Sequence, residues 1–265
     1  MSDISRKAIV ERGAKLARDV RVGPFCHIGP GVRIGAGCTL ESHVTIAGAT
    51  TIGEKTHVLP MAVIGLADDG QDDPAGQCVL GMANTIREHV TVRAGRDRPT
   101  RIGSGNLIMV ACEIGPGAVV GDHGIFANCT HVAAGAVVED YVRTSGFAMV
   151  GAGATVGAYT FIAGHAVIDR FAPPFAIVQS FPYRVRWVNA ENLKRCGFAE
   201  EDIRALREAF KILFDDDADH ARPARLDELP ADLTANAHVG RLVEFLRARR
   251  DGGTGGDHVP ADGHS

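Results

Sequence analysis

The chain is poor in aromatic residues and rich in glycine. Aromatic residues account for 6% of its 265 residues, whereas glycine occurs 32 times. Large aromatic side chains dominate the cores of most compact domains, so their scarcity argues against an ordinary globular core. The composition favours a narrow architecture whose interior accepts one small aliphatic side chain at a time.

Other missing features exclude several functional classes. The six cysteines form no C-x-x-C pair, so neither a zinc site nor a redox dithiol is indicated. The formal net charge of −4 predicts no basic surface for nucleic acid. The sequence contains no run of about 18 apolar residues and no apolar segment typical of a signal peptide near Met1. We therefore expect a cytoplasmic protein with no transmembrane segment.

An apolar residue recurs at every sixth position over most of the chain. The spacing holds from Leu16 to Ile64, from Leu80 to Val92 and from Ile102 to Ile168. These runs contain nine, three and twelve such positions, and Thr144 is the only one that is not apolar. An α-helix has about 3.6 residues per turn and a strand alternates every two residues, so neither explains a period of six.

A period of six predicts a triangular prism. Each unit forms a short strand with an inward apolar residue, and the small residue that follows, often glycine, lets the chain turn the corner. Three units complete a coil of about 18 residues, and neighbouring coils stack as parallel strands about 4.8 Å apart. The sequence therefore predicts a mostly β protein, a left-handed parallel β-helix of about eight coils.

Two segments interrupt the repeat, one between Ile64 and Leu80 and one between Val92 and Ile102. The first is acidic and the second is basic. Loops on a rigid scaffold often carry binding residues, but solvated loops would have the same composition. The sequence leaves both interpretations open.

The repeat ends near Pro173 and Pro174, which we expect to terminate the strand ladder. Two amphipathic helices are predicted beyond it, in FAEEDIRALREAFKILF and in AHVGRLVEFLRARR. We therefore expect a β-helix domain over 1–188, a helical domain over 189–250 that covers the last coils, and a disordered tail over 251–265.

Five segments resemble the family of UDP-N-acetylglucosamine O-acyltransferases, which begin lipid A biosynthesis in Gram-negative bacteria. They are GPFCHIGP (23–30), IREHVTV (86–92), GNLIMV (105–110), PPF (173–175) and NLKRCGF (192–198). The resemblance implies a homotrimer with active sites between neighbouring prisms. It also implies transfer of a 3-hydroxyacyl chain from acyl carrier protein to the sugar 3-hydroxyl, with no metal or other cofactor.

The resemblance also implies substrate contacts. Nucleotide-binding positions of the family match Asn189, Glu191 and Arg195, and an arginine beside a diphosphate is a suitable charge-assisted donor. The position that measures acyl length in the family corresponds to Gly164, where the missing side chain implies room for a long acyl chain.

The active-site histidines of the family are missing from this chain. The general base falls on Pro116, and two further histidines fall on Gly135 and Gly151. None of these residues can accept a proton. A general base contributes about 10²–10⁴-fold to the rate, so the family mechanism cannot apply here unchanged.

The coil spacing offers a replacement base. Glu113 and His131 are 18 residues apart, and each precedes an inward residue, so both are predicted to project outward from neighbouring coils. A carboxylate that orients an imidazole forms the base half of a catalytic triad. We therefore predict His131 as the base and Glu113 as its orienting partner. A solvated cross-strand pair without a catalytic role would have the same spacing.

Three functions fit these observations. The first is transfer from acyl carrier protein to UDP-N-acetylglucosamine or a related nucleotide sugar with a non-standard base. The second is transfer to a different acceptor, such as an amine, which needs less help from a base. The third is a trimeric binding or scaffold protein without activity. Retention of Asn189, Glu191 and Arg195 favours the first and third, whereas loss of the histidines favours the second and third.

Overall fold

The computed structural model describes residues 3–67, 76–214 and 225–251. Within these ranges, short strands form three sheets, and the three sheets are the faces of a solenoid. The first sheet contains β1 (Asp3–Ile4), β4 (Arg21–Val22), β7 (Thr39–Leu40), β10 (His57–Val58), β13 (Thr85–Ile86), β16 (Leu107–Ile108), β19 (Ile125–Phe126), β22 (Arg143–Thr144), β25 (Phe161–Ile162), β28 (Ala176–Gln179) and β29 (Arg184–Val188). The second contains β2 (Ile9–Val10), β5 (His27–Ile28), β8 (Thr45–Ile46), β11 (Val63–Leu66), β14 (Thr91–Arg93), β17 (Glu113–Ile114), β20 (His131–Val132), β23 (Met149–Val150) and β26 (Val167–Ile168). The third contains β3 (Lys15–Leu16), β6 (Arg33–Ile34), β9 (Ala49–Ile52), β12 (Gln77–Leu80), β15 (Thr100–Ile102), β18 (Val119–Val120), β21 (Val137–Val138), β24 (Thr155–Val156) and β27 (Phe171–Ala172).

The six-residue period builds this solenoid. Each strand from β1 to β25 pairs in parallel with the strand three places further along the chain, as β17 does with β20. At the C-terminal end of the first sheet, β29 pairs antiparallel with β28. The repeating aliphatic residues point inward, and Ile46, Ile64 and Ile114 are completely buried. The predicted parallel β-helix is therefore confirmed, and the repeating apolar residues form its core.

The solenoid is longer than the sequence predicted, with about nine coils rather than eight. It begins before Leu16, because Ile4 and Val10 continue the same period in strands that are exposed at the N-terminal end. The expectation that Pro173 and Pro174 end the ladder was wrong. Both lie between β27 and β28, outside the strands, where no ladder N–H is required, and β28 still pairs in parallel with β25.

Two buried asparagines satisfy backbone groups at one corner of the prism. Asn84 Nδ2 donates to two carbonyl oxygens at 2.9 and 2.8 Å, and Asn84 Oδ1 accepts from Asn106 N at 2.9 Å. Asn106 in turn accepts from Gly124 N at 2.6 Å and donates to Gly121 O at 3.0 Å. These side chains link successive coils where the sheets do not.

Replacing Asn106 by alanine is expected to destabilise the protein. The change leaves Gly124 N and Gly121 O without these hydrogen-bond partners. Each buried polar group left unpaired lowers the free energy of unfolding by about 1–3 kcal/mol. Denaturant unfolding should show the loss, whereas Asn128→Ala, at an exposed corner of the next coil, should remain close to the parent protein. Equal effects of the two substitutions would contradict this role of Asn106.

The inward-facing Thr144 is accommodated by hydrogen bonds. Its hydroxyl lies 2.7 Å from Thr130 Oγ1 and accepts from Ala127 N at 3.0 Å. Thr130 Oγ1 also lies 2.8 Å from Ala127 O, as a donor. The two hydroxyls therefore satisfy each other inside the prism.

Helices follow the last coils. They are α1 (Ala190–Arg195), α2 (Glu200–Leu213), a short 3₁₀ helix (Leu226–Glu228), α3 (Ala231–Thr234) and α4 (Ala237–Asp251). The apolar positions expected for α2, namely Ile203, Leu206, Phe210 and Leu213, are all buried. Helix α2 packs on β29 and α4, and Phe245 of α4 meets Phe171 of β27 edge to face at 6.2 Å between ring centroids.

Three further expectations concern the ends and loops of the chain. Asp251 is the last residue of α4, and the rest of the tail expected over 251–265 lies outside the described residues. Most of the acidic interruption, 68–75, also lies outside them. None of the described helices combines the length and the apolar character needed to cross a membrane.

Candidate functional site

Glu113 and His131 lie side by side on the outer face of the second sheet. They are register partners on β17 and β20, and they point outward because Ile114 and Val132 fill the prism. His131 Nδ1 lies 3.5 Å from Glu113 Oε2, and the two side chains are 36% and 44% exposed. The imidazole therefore turns Nδ1 toward the carboxylate, which leaves Nε2 on the opposite side of the ring to face a substrate.

Arg93 is a third member of this cluster that sequence reasoning missed. Its Nε lies 3.7 Å from Glu113 Oε1, and its Nη1 donates to Ala67 O at 3.1 Å. The carboxylate of Glu113 is therefore shared between a guanidinium and the imidazole of His131. The sequence carried little signal for this contact, because Arg93 stands where the chain leaves the six-residue repeat.

An open groove of about 570 Å³ lies at the corner between the second and third sheets. Residues 116–117 and 134–135 line it on the side of the prism, and Ala67 and loop 94–98 complete it. This volume falls within the range of about 300–1,000 Å³ that is usual for small-molecule sites. Two of the expected histidine positions, Pro116 and Gly135, thus line a real groove but place no proton acceptor in it.

The Glu113–His131 pair borders this groove without lining it. Ala67 lines the groove and accepts the hydrogen bond from Arg93, and Arg93 in turn faces Glu113. His131 precedes Gly135 by four residues, which limits the separation of their Cα atoms to about 14 Å. Gly151 is not among the lining residues, and a Cβ there would stand 3.0 Å from Ile168 O.

The basic interruption is packed against the prism through Arg98. Arg98 Nε and Nη2 donate to Gly117 O at 2.8 and 2.5 Å, and Nη2 also donates to Gly135 O at 2.8 Å. Thr100 Oγ1 donates to Arg93 O at 2.6 Å and accepts from Gly117 N at 2.8 Å. These hydrogen bonds hold the segment against the prism beside the groove, which favours a loop that carries binding residues over a freely solvated loop.

The residues matched to nucleotide binding lie at a different corner. Asn189 precedes α1 and is buried, and its Nδ2 donates to Tyr159 O at 2.8 Å, whereas its side chain makes no capping hydrogen bond to α1. Glu191 and Arg195 lie on α1 and are exposed. This corner joins the third sheet to the first, as Tyr159 lies between β24 and β25.

Gly164 lies at the remaining corner, between β25 of the first sheet and β26 of the second. It is exposed, and a Cβ at this position would stand 3.3 Å from Gly146 O. A larger residue at this position would therefore have its side chain close to the backbone of the preceding coil. Within one chain, the residues matched to nucleotide binding, Gly164 and the groove therefore lie at three different corners and do not converge.

The thiols inside the prism are unsuited to nucleophilic chemistry. Burial raises the pKa of Cys78 to about 12 and that of Cys112 to about 11, so both remain protonated at neutral pH. Across the three described stretches of the chain, no group of three His, Cys, Asp or Glu side chains is placed to hold a metal ion.

A parallel β-helix with a six-residue period and a lateral groove defines the class of hexapeptide-repeat transferases. A family model described as bacterial transferase hexapeptide (six repeats) matches residues 13–48, and one described as UDP N-acetylglucosamine O-acyltransferase, domain 2, matches residues 172–254. The chain belongs to the family of UDP-N-acetylglucosamine O-acyltransferases, as the similarity to individual relatives shows.

The similarity to individual relatives extends over three quarters or more of the chain. The acyl-[acyl-carrier-protein]–UDP-N-acetylglucosamine O-acyltransferase of Saccharophagus degradans is 38% identical and covers 95% of this chain and 99% of its own length. The enzyme of the same name from Rippkaea orientalis is 46% identical over 77% of this chain and 75% of its own. Among solved structures, LpxA from Acinetobacter baumannii is 31% identical with a TM-score of 0.84, covering 92% of this chain and 96% of that one.

Proposed function

We propose that this protein transfers a 3-hydroxyacyl chain from acyl carrier protein to UDP-N-acetylglucosamine or a related nucleotide sugar, with His131 as the general base. The observation that carries the proposal is the Glu113–His131 pair, which borders a groove of suitable size. Family membership supports the reaction class, and the pair supplies a base that the residues at 116 and 135 do not.

The geometry suggests a sequence of proton transfers. His131 Nε2 accepts the proton of the sugar hydroxyl as the hydroxyl oxygen attacks the thioester carbon. Glu113 stabilises the imidazolium that forms, because its carboxylate faces Nδ1 at 3.5 Å. His131 then returns the proton to the sulfur of the departing carrier thiolate. A bond to oxygen replaces the bond to sulfur, and no other reactant is needed.

Substrate binding requires more than one copy of the chain in this proposal. Asn189, Glu191 and Arg195 bind the nucleotide, and Gly164 leaves space for the acyl chain. These residues and the groove lie at different corners of one prism, so a homotrimer would complete each site with residues from a neighbouring copy. The separation of the three sets supports this assembly.

A second candidate function is transfer to an amine of a related nucleotide sugar. The observation that favours it is the prism side of the groove, where Pro116, Gly117, Ala134 and Gly135 offer no titratable side chain. A neutral amine is already nucleophilic and depends less on a base than a hydroxyl does.

A transfer assay read by mass spectrometry distinguishes these functions. The protein would be incubated with 3-hydroxyacyl carrier proteins of several lengths and with either UDP-N-acetylglucosamine or a UDP sugar that carries an amine at the 3-position. We expect acylation of the hydroxyl sugar. Product from the amine sugar alone would establish the second function. Absence of product from both, with nucleotide binding retained in calorimetry, would establish a binding protein.

A further inference from the structure

We propose that Arg98 binds the carbonyl oxygen of the acyl donor and stabilises the negative charge that develops on it during transfer. The inference rests on the acyl transfer proposed above and assigns a second chemical group to that reaction. It concerns a loop residue to which the hexapeptide pattern assigns no role.

The plane of the guanidinium is fixed before any substrate binds. Three hydrogen bonds hold it, two to Gly117 O and one to Gly135 O, and these carbonyls belong to neighbouring coils of the same corner. A donor that is already held in position needs little reorganisation energy to stabilise the charge of the transition state. This is the basis of electrostatic preorganisation.

The backbone of the loop is fixed as well. Gly95 and Gln77 exchange two backbone hydrogen bonds at 2.9 and 3.1 Å. A Cβ on Gly95 would stand 2.0 Å from Arg98 O and 2.6 Å from Gly117 N, so only glycine allows the loop to lie this close to the prism. Arg98 therefore reaches the groove from a rigid base.

Glycine at 135 provides the space that Arg98 uses. A Cβ there would stand 3.8 Å from Arg98 Nη2, at van der Waals distance, so a longer side chain would lie against the guanidinium. The backbone itself would accept histidine, because Gly135 has φ +68° and His123 and His165 adopt φ of 58° and 59° at other corners. A histidine at 135 would therefore contact Arg98 in its present place.

Arg98 lines the groove, and part of its guanidinium makes no hydrogen bond to the backbone. Of its five N–H groups, Nε–H and the two on Nη2 serve the backbone carbonyls, which leaves the two on Nη1. Among the described residues, no carboxylate lies within ion-pair distance of the guanidinium, although Asp97 lines the same groove. Arginine keeps its charge throughout the physiological pH range, so the groove holds a permanent cation.

This placement defines a chemical step. As the acceptor oxygen bonds to the thioester carbon, the electron pair of the C=O bond moves onto the carbonyl oxygen, where Arg98 Nη1 donates to it. When the oxyanion collapses, the C=O bond reforms and the C–S bond breaks. The thiolate leaves with the electron pair and receives the proton held by His131.

Kinetics of Arg98 variants test the assignment. Arg98→Ala is expected to lower kcat by about 10²–10³-fold with little change in KM for the nucleotide sugar, as removal of an oxyanion donor does. Arg98→Lys, which keeps the charge without the fork, should recover part of the loss. Arg101→Ala is the matched control, since Arg101 is exposed on β15 and does not line the groove. A kcat within twofold of the parent in folded Arg98→Ala would overturn the proposal.

A binding measurement separates this proposal from the choice of acceptor. The probe is a pantetheine-linked phosphonate, whose anionic tetrahedral centre mimics the intermediate, compared with the neutral pantetheine thioether of equal length. We expect Arg98→Ala to weaken phosphonate binding at least about 100-fold and to leave thioether binding unchanged. Equal loss for both probes, or loss for neither, would refute the role of Arg98.

If the parent protein acylates neither sugar but shows the Arg98-dependent preference, the proposed function fails and the oxyanion site stands. If Arg98→Ala does not fold, Arg98→Lys carries the same comparison, with at least tenfold selective weakening expected.

Discussion

His131→Ala is expected to lower kcat for acyl transfer by about 10²–10⁴-fold, the usual contribution of a general base. The KM for the nucleotide sugar should change little, because His131 lies on the second sheet, whereas the residues proposed to bind the nucleotide lie on α1 or directly before it. Steady-state rates, measured from the free carrier thiol that is released, would give both constants.

The matched control is His165→Ala, which removes another exposed histidine on the same prism. His165 stacks on Phe147 at a corner, with ring centroids 5.2 Å apart, and has no role in the proposed chemistry. Glu113→Gln should lower kcat less than His131→Ala, and the double variant should be no slower than His131→Ala, because a positioning residue acts only through its partner. Additive losses would contradict the orienting role of Glu113.

Asp97→Asn tests whether Asp97, rather than His131, acts as the general base. Asp97 is the only carboxylate among the described residues that line the groove, so a loss of 10²-fold or more in this variant, with His131→Ala unaffected, would transfer the role of base to Asp97. We expect the reverse, because Asp97 is exposed and no described partner orients it as Glu113 faces His131.

Phe126→Ala is expected to destabilise the protein by about 3–5 kcal/mol, the usual cost of removing a buried phenylalanine. Phe126 is completely buried and is one of the largest side chains in the prism. Its ring lies over Gly124, where a Cβ would stand only 2.6 Å from Phe126 Cε2. The stacked coils on either side restrict collapse of the cavity, so the loss should approach the upper end of this range.

Denaturant unfolding would measure this effect at fixed protein concentration. The control is Phe147→Ala at a corner position, where the ring is 59% exposed, and a change below about 0.5 kcal/mol is expected there. Phe126→Leu should fall between the two, since it retains most of the buried volume. A small effect of Phe126→Ala would show that the coils can close around the missing ring, contrary to the tight packing expected of protein interiors.

The sequence by itself determined the repeating part of this protein. A six-residue period fixes which side chains face inward and makes residues 18 apart neighbours wherever the repeat is unbroken, so Glu113 and His131 could be paired before any coordinates were known. The count of coils was low because Ile4 and Val10, although in register with the period, were not recognised as part of it. Prolines 173 and 174 misled because their effect depends on whether they fall in a strand or in a turn.

Only the tertiary structure decided what happens where the repeat breaks. Arg93 and Arg98 lie at or beyond the end of a strand, so no spacing rule predicts their partners, which are a carboxylate on the next coil and carbonyls on two successive coils. The same holds for the distribution of Gly164, Asn189 and the groove over three corners. A periodic backbone ladder is specified by local sequence, whereas a loop is placed by a few long-range contacts, each dependent on the folded surface that the ladder first creates.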